Sequence, residues 1–416
     1  MASGGVFTAE ASRSFSIHIA MVGSLANMPS AGHSYIISAK RTALGRVGGL
    51  HRSRRIEALA APVVAAVLDD SGLEAGAVDE VILGNTMQGG NPARLIGLAA
   101  GLPETASAIT IDRQCASGLD AIVAGCRSIE SGEAEVVIAG GAESISTAPW
   151  RIAKPKSLYQ TPHFIGLEAA TEETGEDAQL FEASEVLSQR LNISRDQQDQ
   201  WALRSHLKAN AAQDKRTFLG EIVPLRGNAE EARDQSAGVD PSLDELTALP
   251  PFLPPTGTLT PGNTSSMHDG AAIVAIVSEA VWQKLGKPPA LRFVAGVSQG
   301  VVHGNEAGAP MEAMKKLYGR LEGFNTKDIG LVELNENSAA QAIAFSSSLG
   351  LEDDLVNPDG GAIVRGNPLA AAGAVLVVRL FTRMVRQRDD TKKANFGIAT
   401  LGAIGGIGVA AMFEAI

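Results

Sequence analysis

The chain holds two cysteines, Cys115 and Cys126, and the first stands where a thiol can react. The run "SAITIDRQ" reads as a strand. It passes directly into "CASGLDAIVAGCRSIESG", whose apolar spacing is helical and which Gly132 closes. Cys115 therefore falls at a strand-to-helix junction. Unpaired N–H groups and the helix dipole at such a junction favour a thiolate, so the expectation is a lowered thiol pKa. The small neighbours Ala116, Ser117 and Gly118 leave room for a carbonyl substrate, with backbone N–H groups nearby to receive an oxyanion. A buried structural cysteine is the competing reading, and a common one. Position and neighbours favour a nucleophile at Cys115; for Cys126, inside an apolar helix, the structural reading prevails.

Two other stretches carry polar residues in telling places. "IVRGNPLAAAGA" (363–374) starts an apolar helix, and Asn367 suits its N-cap. A basic cluster of Lys40, Arg41, Arg46, Arg52, Arg54 and Arg55 reads as a solvated loop; the alternative is a seat for an anionic group such as a nucleotide phosphate.

The elements that must position these residues follow from length and pattern. At 416 residues the chain exceeds one ordinary core, so two or three domains are expected. With 45% hydrophobic and 19% charged residues it is globular rather than disordered. Its 45 glycines and 4% aromatics suit close-packed α/β layers. A net charge of −11 argues against a nucleic-acid-binding surface. Two cysteines exclude a disulfide framework or a cysteine-rich zinc site, so a reducing, cytoplasmic location is the expectation and no metal is assigned. No apolar run approaches the ~18 residues that span a bilayer. Residues 1–33 read as a flexible extension. One Arg is too few for a typical transit peptide, although organellar targeting stays open and Met21 and Met28 are alternative starts.

From residue 34 to 149, "SYIISAKRTALG", "VDEVILGNTM", "SAITIDRQ" and "AEVVIAGGAES" are strands separated by helices. The first helix places Ile56, Leu59, Ala60, Val63, Val64 and Val67 on one face; the second runs from about Pro92 to Leu102. Residues 150–250 are polar, helical and then proline-rich, as in an inserted region. The α/β pattern resumes over 251–286 and again over 287–416, with helices around 310–321, 338–349 and 367–386. The second half echoes the first, which predicts a duplicated α/β domain.

"DRQCASGLDAI" resembles the nucleophile motif of the thiolases, the acetyl-CoA acetyltransferases and 3-ketoacyl-CoA thiolases. "SAKRTALG", "EVILGNTMQGGNPARLIGLAAGLP", "VIAGGAESIS", "ALRSHLKANAAQ", "TPGNTSSMHDGAA", "VELNENSAAQA" and "VNPDGGAIVRGNPLAAAGA" each look like a thiolase block, in thiolase order. The resemblance implies two similar α/β/α/β/α-layered domains with an inserted loop domain and assembly as a homodimer or homotetramer. It also implies acyl transfer between coenzyme A thioesters, which are substrates; no cofactor is held permanently.

In that family a cysteine takes the acyl group, a Gly-His-Pro histidine activates it, and a second cysteine moves the α-proton of the other acyl-CoA. One group must generate a thiolate near neutral pH, and another must remove a weakly acidic C–H proton. Carried over, the nucleophile is Cys115 and the Asn-Glu motif is Asn335 and Glu336, followed by Asn337 and Ser338 where small and aromatic residues are usual. The histidine position holds Asn367 and the second-cysteine position Gly402, which offers only backbone. Ser265 and Arg204 are the candidate coenzyme A contacts. His303 and Glu306, in a loop that the family brings towards the site, are candidate substrate contacts and replacement bases, with plain surface residues as the alternative. The loop-domain histidine is best matched by Gln179. The resemblance thus implies an acyltransferase through Cys115, and the departures leave a catalytically impaired acyl-CoA-binding or accessory protein as the second reading.

Overall fold

A computed structural model describes residues 32–155, 157–165, 179–227, 229–321, 323–324, 326–388 and 396–416. The expected N-terminal extension lies, apart from its last two residues, outside the described residues. The first half contributes β1 (Ser34–Arg41), β2 (Gly45–Arg46), α1 (Ile56–Ser71), β3 (Glu80–Gly84), α2 (Pro92–Ala99), β4 (Ser107–Ile111), α3 (Ser117–Glu130) and β5 (Val136–Glu143). The polar stretch that follows carries α4 (Gln179–Leu191), α5 (Arg195–Asp214) and the short α6 (Leu243–Thr247). Next come β6 (His268–Ser278) and α7 (Glu279–Lys284). The second half runs β7 (Leu291–Gly300), α8 (Ala309–Tyr318), β8 (Ile329–Leu334), α9 (Ala339–Leu349), α10 (Ala362–Arg365), α11 (Ala372–Phe381), β9 (Phe396–Ala403) and β10 (Ile407–Ala415).

The strands lie in the order β4-β3-β5-β6-β1 and continue as β7-β10-β9-β8, joined where Tyr35 faces Arg292 and Ile36 faces Leu291. Within each half the pattern repeats. β3 pairs parallel with β5, which pairs antiparallel with β6, itself antiparallel to β1. Likewise β8 pairs parallel with β9, which pairs antiparallel with β10, itself antiparallel to β7. The partner of β4 in the second half shrinks to a parallel bridge between Val332 and Val356. This is the expected duplication, with one strand nearly lost.

Side-chain alternation along the strands builds five layers. On β6, Ile273, Ala275 and Val277 face an outer core with α1 and α2, while Ala272, Val274 and Ile276 face a central core. On β10, Val409, Ala411 and Phe413 join that central core, and Ala410 and Met412 face another outer core under α8 and α9. The central core holds α3 and α11, sandwiched between the two halves. These two helices approach closely because glycines meet at their crossing. A Cβ at Gly118 would lie 2.5 Å from the Ala370 carbonyl oxygen, and one at Gly373 2.6 Å from Leu119 Cβ. The same approach brings the loops before α3 and α11 together.

Two expectations are corrected. The helix expected over 367–386 is a short 3-10 turn (Leu369–Ala371), then α11, then a π-helical turn (Thr382–Arg386). The basic cluster is not a solvated loop as a whole. Arg41 is fully buried, 2.7 Å from Glu221 and 2.6 Å from Asp234, and buried Arg54 pairs with Glu231. Glu221, Asp234 and Glu231 come from the inserted stretch, so these arginines clamp it to the core rather than wait for an anion.

Candidate active site

Cys115 sits on a sharp turn between β4 and α3. Gln114 takes a left-handed φ of 52°, a conformation that a non-glycine residue adopts only when its surroundings impose it. The imposing contacts are visible. The Ser117 hydroxyl accepts from the Arg113 N–H at 2.7 Å and donates to the Gln114 carbonyl at 2.6 Å. The Gln114 N–H donates to Asp112 Oδ1 at 3.1 Å.

The thiol is almost wholly enclosed, with Cys115 only 2% exposed. Burial pushes it up to about 11, and the nearby Glu143 carboxylate adds to the rise; the Ile404 N–H, the Cys115 N–H and the Asn367 side chain pull the other way. The expected lowering by the helix start is therefore overturned. The helix begins at Ser117, and loss of water outweighs what its terminus supplies. Cys126 is buried, with its thiol pushed up to about 12, and matches its structural reading.

Three asparagines form a network that reaches the thiol through Asn367. Asn337 Oδ1 accepts from Asn335 Nδ2 at 2.8 Å and, at a longer 3.5 Å, from Asn367 Nδ2. Asn337 Nδ2 donates to the Gly402 carbonyl at 3.0 Å. Asn335 and Asn337 follow β8, Gly402 lies on β9, and Asn367 precedes α11. The groups thus converge at the C-terminal ends of parallel strands, where open α/β sheets place their ligands. Asn337 was legible only as a departure from the resembled motif, and its place at the centre of this network was not. Ile404, which supplies a backbone N–H, carried no sequence signal at all.

Asn367 is held by its backbone as firmly as by its side chain. Its N–H donates to the Ser266 carbonyl at 2.8 Å, its carbonyl accepts from the His268 N–H at 2.9 Å, and its Oδ1 accepts from the Leu369 N–H at 3.1 Å. The last bond is a local turn across Pro368 and corrects the capping role read from the sequence: Pro368 precedes the 3-10 turn and Ala371 is the N-cap of α11. Gly366 before it needs a φ of 98° and packs directly on the His268 ring, so no side chain fits there. Across the thiol, buried Glu143 accepts from Asn85 Nδ2 at 3.0 Å and from the N–H groups of Thr86 and Met87 at 3.1 Å each. Burial raises its carboxyl to about 8 against those donors.

The remaining expected residues divide. Ser265 is half-buried at the rim, its N–H donating to the Asn337 carbonyl at 3.1 Å. Arg204 lies on α5, where its guanidinium stacks 4.2 Å from the Trp201 ring and pairs with Asp353. Neither of these partners belongs to the groups around the thiol. Glu306 is buried, 6% exposed, which corrects the surface alternative for it; His303 beside it is exposed and lies 3.0 Å from Glu306 Oε1. A Cβ at Gly402 would lie 3.0 Å from Pro310 Cδ and 3.4 Å from Gln341 Nε2, so a side chain there needs its neighbours to give by a few tenths of an ångström. Gln179 opens α4, and its side chain lies outside the described residues. Among the described residues, no group of three or more His, Cys, Asp or Glu is arranged to hold a metal ion.

The model of the thiolase N-terminal domain matches residues 34–280, and that of the thiolase C-terminal domain matches residues 290–415. The chain belongs to the thiolase family. Among thiolase relatives, the VraB protein of Staphylococcus epidermidis is 38% identical over 383 residues, 91% of this chain and 97% of its own. The acetyl-CoA acetyltransferase of Shinella zoogloeoides is 35% identical over 395 residues, covering 92% of this chain and 99% of its own. The crystal structure of the Bacillus anthracis acetyl-CoA acetyltransferase superimposes with a TM-score of 0.85 at 32% identity, covering 93% of this chain and all of that one.

Proposed function

We propose that this thiolase is an acyl-CoA acyltransferase that carries the acyl group on Cys115 and passes it between coenzyme A thioesters. The observation that carries the reading is the enclosed Cys115 thiol on its strained turn, with the Ile404 and Cys115 N–H groups and the Asn367 side chain placed to favour its thiolate. Attack by the sulfur on a thioester carbonyl puts negative charge on its oxygen, and two backbone donors beside the sulfur suit that charge. Coenzyme A then leaves as its thiolate and an acyl-cysteine remains; a second thiol or a carbanion completes the transfer. Asn335 and Asn337, tied together at 2.8 Å, present amide donors for the oxygen of the second thioester. Ser265 at the rim is assigned to the coenzyme A chain, and Arg204 is a more remote candidate for the same ligand.

An asparagine cannot take the proton of the thiol as a histidine would. With the thiol at about 11, the thiolate is a minor species at neutral pH, and turnover is expected to be slow there. This same observation favours the second reading, an acyl-CoA-binding or accessory thiolase with little turnover. Exchange of labelled free coenzyme A into acetyl-CoA separates the two. Transfer through Cys115 predicts exchange that rises with pH and vanishes in Cys115→Ser; exchange absent at every pH leaves the binding role.

We further assign residues 34–149 with 251–286 to an N-terminal domain, 150–250 to an inserted loop domain and 287–416 to a C-terminal domain. A cytoplasmic homo-oligomer fits the molecule. No described helix is long and apolar enough to cross a membrane. Strand β4 ends the sheet with its outer edge unpaired among the described residues, and Ile109 on it is 48% exposed, a surface that strand addition by a second copy would cover.

A further inference from the structure

Carbon–carbon bond formation on an acyl-cysteine needs a base other than that cysteine. The second substrate must lose an α-proton while the sulfur is occupied. Gly402 brings no side chain to this task, and Asn335, Asn337 and Asn367 are amides without basicity. Among the buried groups near the β9–β10 turn, Glu306 stands apart. Its Oε1 is held by the Gly304 N–H at 3.1 Å and by His303 Nδ1 at 3.0 Å. Its Oε2 is buried and has no hydrogen-bond partner. A buried carboxylate oxygen without a donor is costly and calls for an explanation by function.

Its position supplies one. Glu306 starts the 3-10 turn Glu306–Gly308 that leads into α8, and this turn packs on β9. The Glu306 Cγ would lie 3.5 Å from a Cβ at Gly406, in the same turn whose Ile404 N–H meets the Cys115 thiol. Ala309 and Pro310, three and four residues on, are the neighbours that a Cβ at Gly402 would meet. Glu306 thus packs on the glycine turn that follows Gly402, and the residues just after it pack on Gly402 itself. His303, whose side chain is 64% exposed, connects the carboxylate to solvent.

We propose that Glu306 is the second acid–base group of this site and that His303 is its positioning residue and proton outlet. The inference rests on the acyl-cysteine reading given above and deepens it: the substrate class is an acyl-CoA with an ionisable α-C–H. Glu306 Oε2 takes the α-proton, and the C–H electron pair forms a bond to the carbonyl carbon of the acyl-cysteine. The carbon–sulfur bond breaks, Cys115 leaves as thiolate, and a 3-ketoacyl-CoA is released. The proton on Glu306 passes through His303 to water, or back to carbon in the reverse direction.

The test is acetyl-CoA in deuterium oxide, with deuterium in its methyl group read by mass and coenzyme A exchange read in parallel. Glu306→Gln keeps the size and is expected to lower α-deuteration by about 10²-fold or more while coenzyme A exchange persists. Glu306→Asp, with a melting curve alongside, separates loss of the base from loss of the fold, because it restores part of the deuteration. His303→Gln is expected to give a smaller loss, recovered by imidazole in the buffer. Deuteration by Glu306→Gln at the parent rate overturns the proposal, and so does a parent chain that exchanges coenzyme A but never deuterates the methyl group. Glu306-dependent deuteration without coenzyme A exchange keeps Glu306 as base and removes the acyl-cysteine instead.

Discussion

At the scale of single residues, the chemistry turns on a contest between burial and donors at Cys115. Sequence made the nucleophile position legible, because a cysteine between a strand and a helix with small neighbours is a recognisable pattern. It could not give the sign of the pKa shift, which depends on how completely the second half of the chain closes over the sulfur. A thiol at about 11 has a plain consequence. Alkylation by iodoacetamide is expected to rise about tenfold per pH unit from neutral pH, with no plateau below about 11. Mass mapping should place the label on Cys115 before Cys126, whose thiol is pushed higher still. A plateau near pH 8 would show that the donors win over burial. Asn367 reads in sequence as a helix cap, but its Oδ1 only closes a turn onto the Leu369 N–H, while α11 starts at Ala372, behind Ala371. Its contact with the thiol rests on residues far apart in sequence and was legible only through the family resemblance.

At the scale of elements, the site depends on two loops that a helix crossing forces together. Cys115 precedes α3 and Asn367 precedes α11, and the two helices pack through Gly118 and Gly373 in the central core. Gly118→Ala would set a Cβ 2.5 Å from the Ala370 carbonyl, against backbone that cannot simply rotate away. The expected result is a loss of about 1–3 kcal/mol in denaturant unfolding, together with slower labelling or acylation of Cys115. Ala at Gly48, whose Cβ meets nothing within 4 Å, is a useful contrast; its φ of 75° means that only backbone strain is tested there. Most strands and helices are readable from pattern, since β6 and β10 are apolar runs of strand length buried on both faces and α1 has a clear buried face. The end of α11 was not, because an apolar run continuing into "FTRMVR" gives no signal that the helix widens into a π turn.

At the scale of the whole molecule, a buried ionic cluster ties the inserted stretch to both halves. Glu221 stands between Arg41 on β1 and Arg379 on α11, while Arg379 also pairs with Asp359. Burial alone would raise the Glu221 carboxyl, but Arg379 and Arg41 overcome it and hold the group at about 2, below its ordinary 4.5. A lowered carboxyl stabilises the fold fully above its ordinary value and loses that contribution as pH falls from 4.5 towards about 2. Stability measured by denaturant should therefore drop steeply over that interval. Glu221→Gln should flatten the drop and remove about 3–5 kcal/mol at neutral pH, because it leaves two buried arginines short of a partner. From sequence this cluster looked like a solvated basic loop, since its acidic partners lie some 180 residues away from Arg41. The central claim, that this scaffold still carries an acyl group on sulfur, is tested most directly by intact mass after incubation with acetyl-CoA. The account predicts one acetyl adduct on the parent chain, formed faster at alkaline pH and absent from Cys115→Ser. An unmodified parent chain at every pH from neutral to alkaline would contradict it.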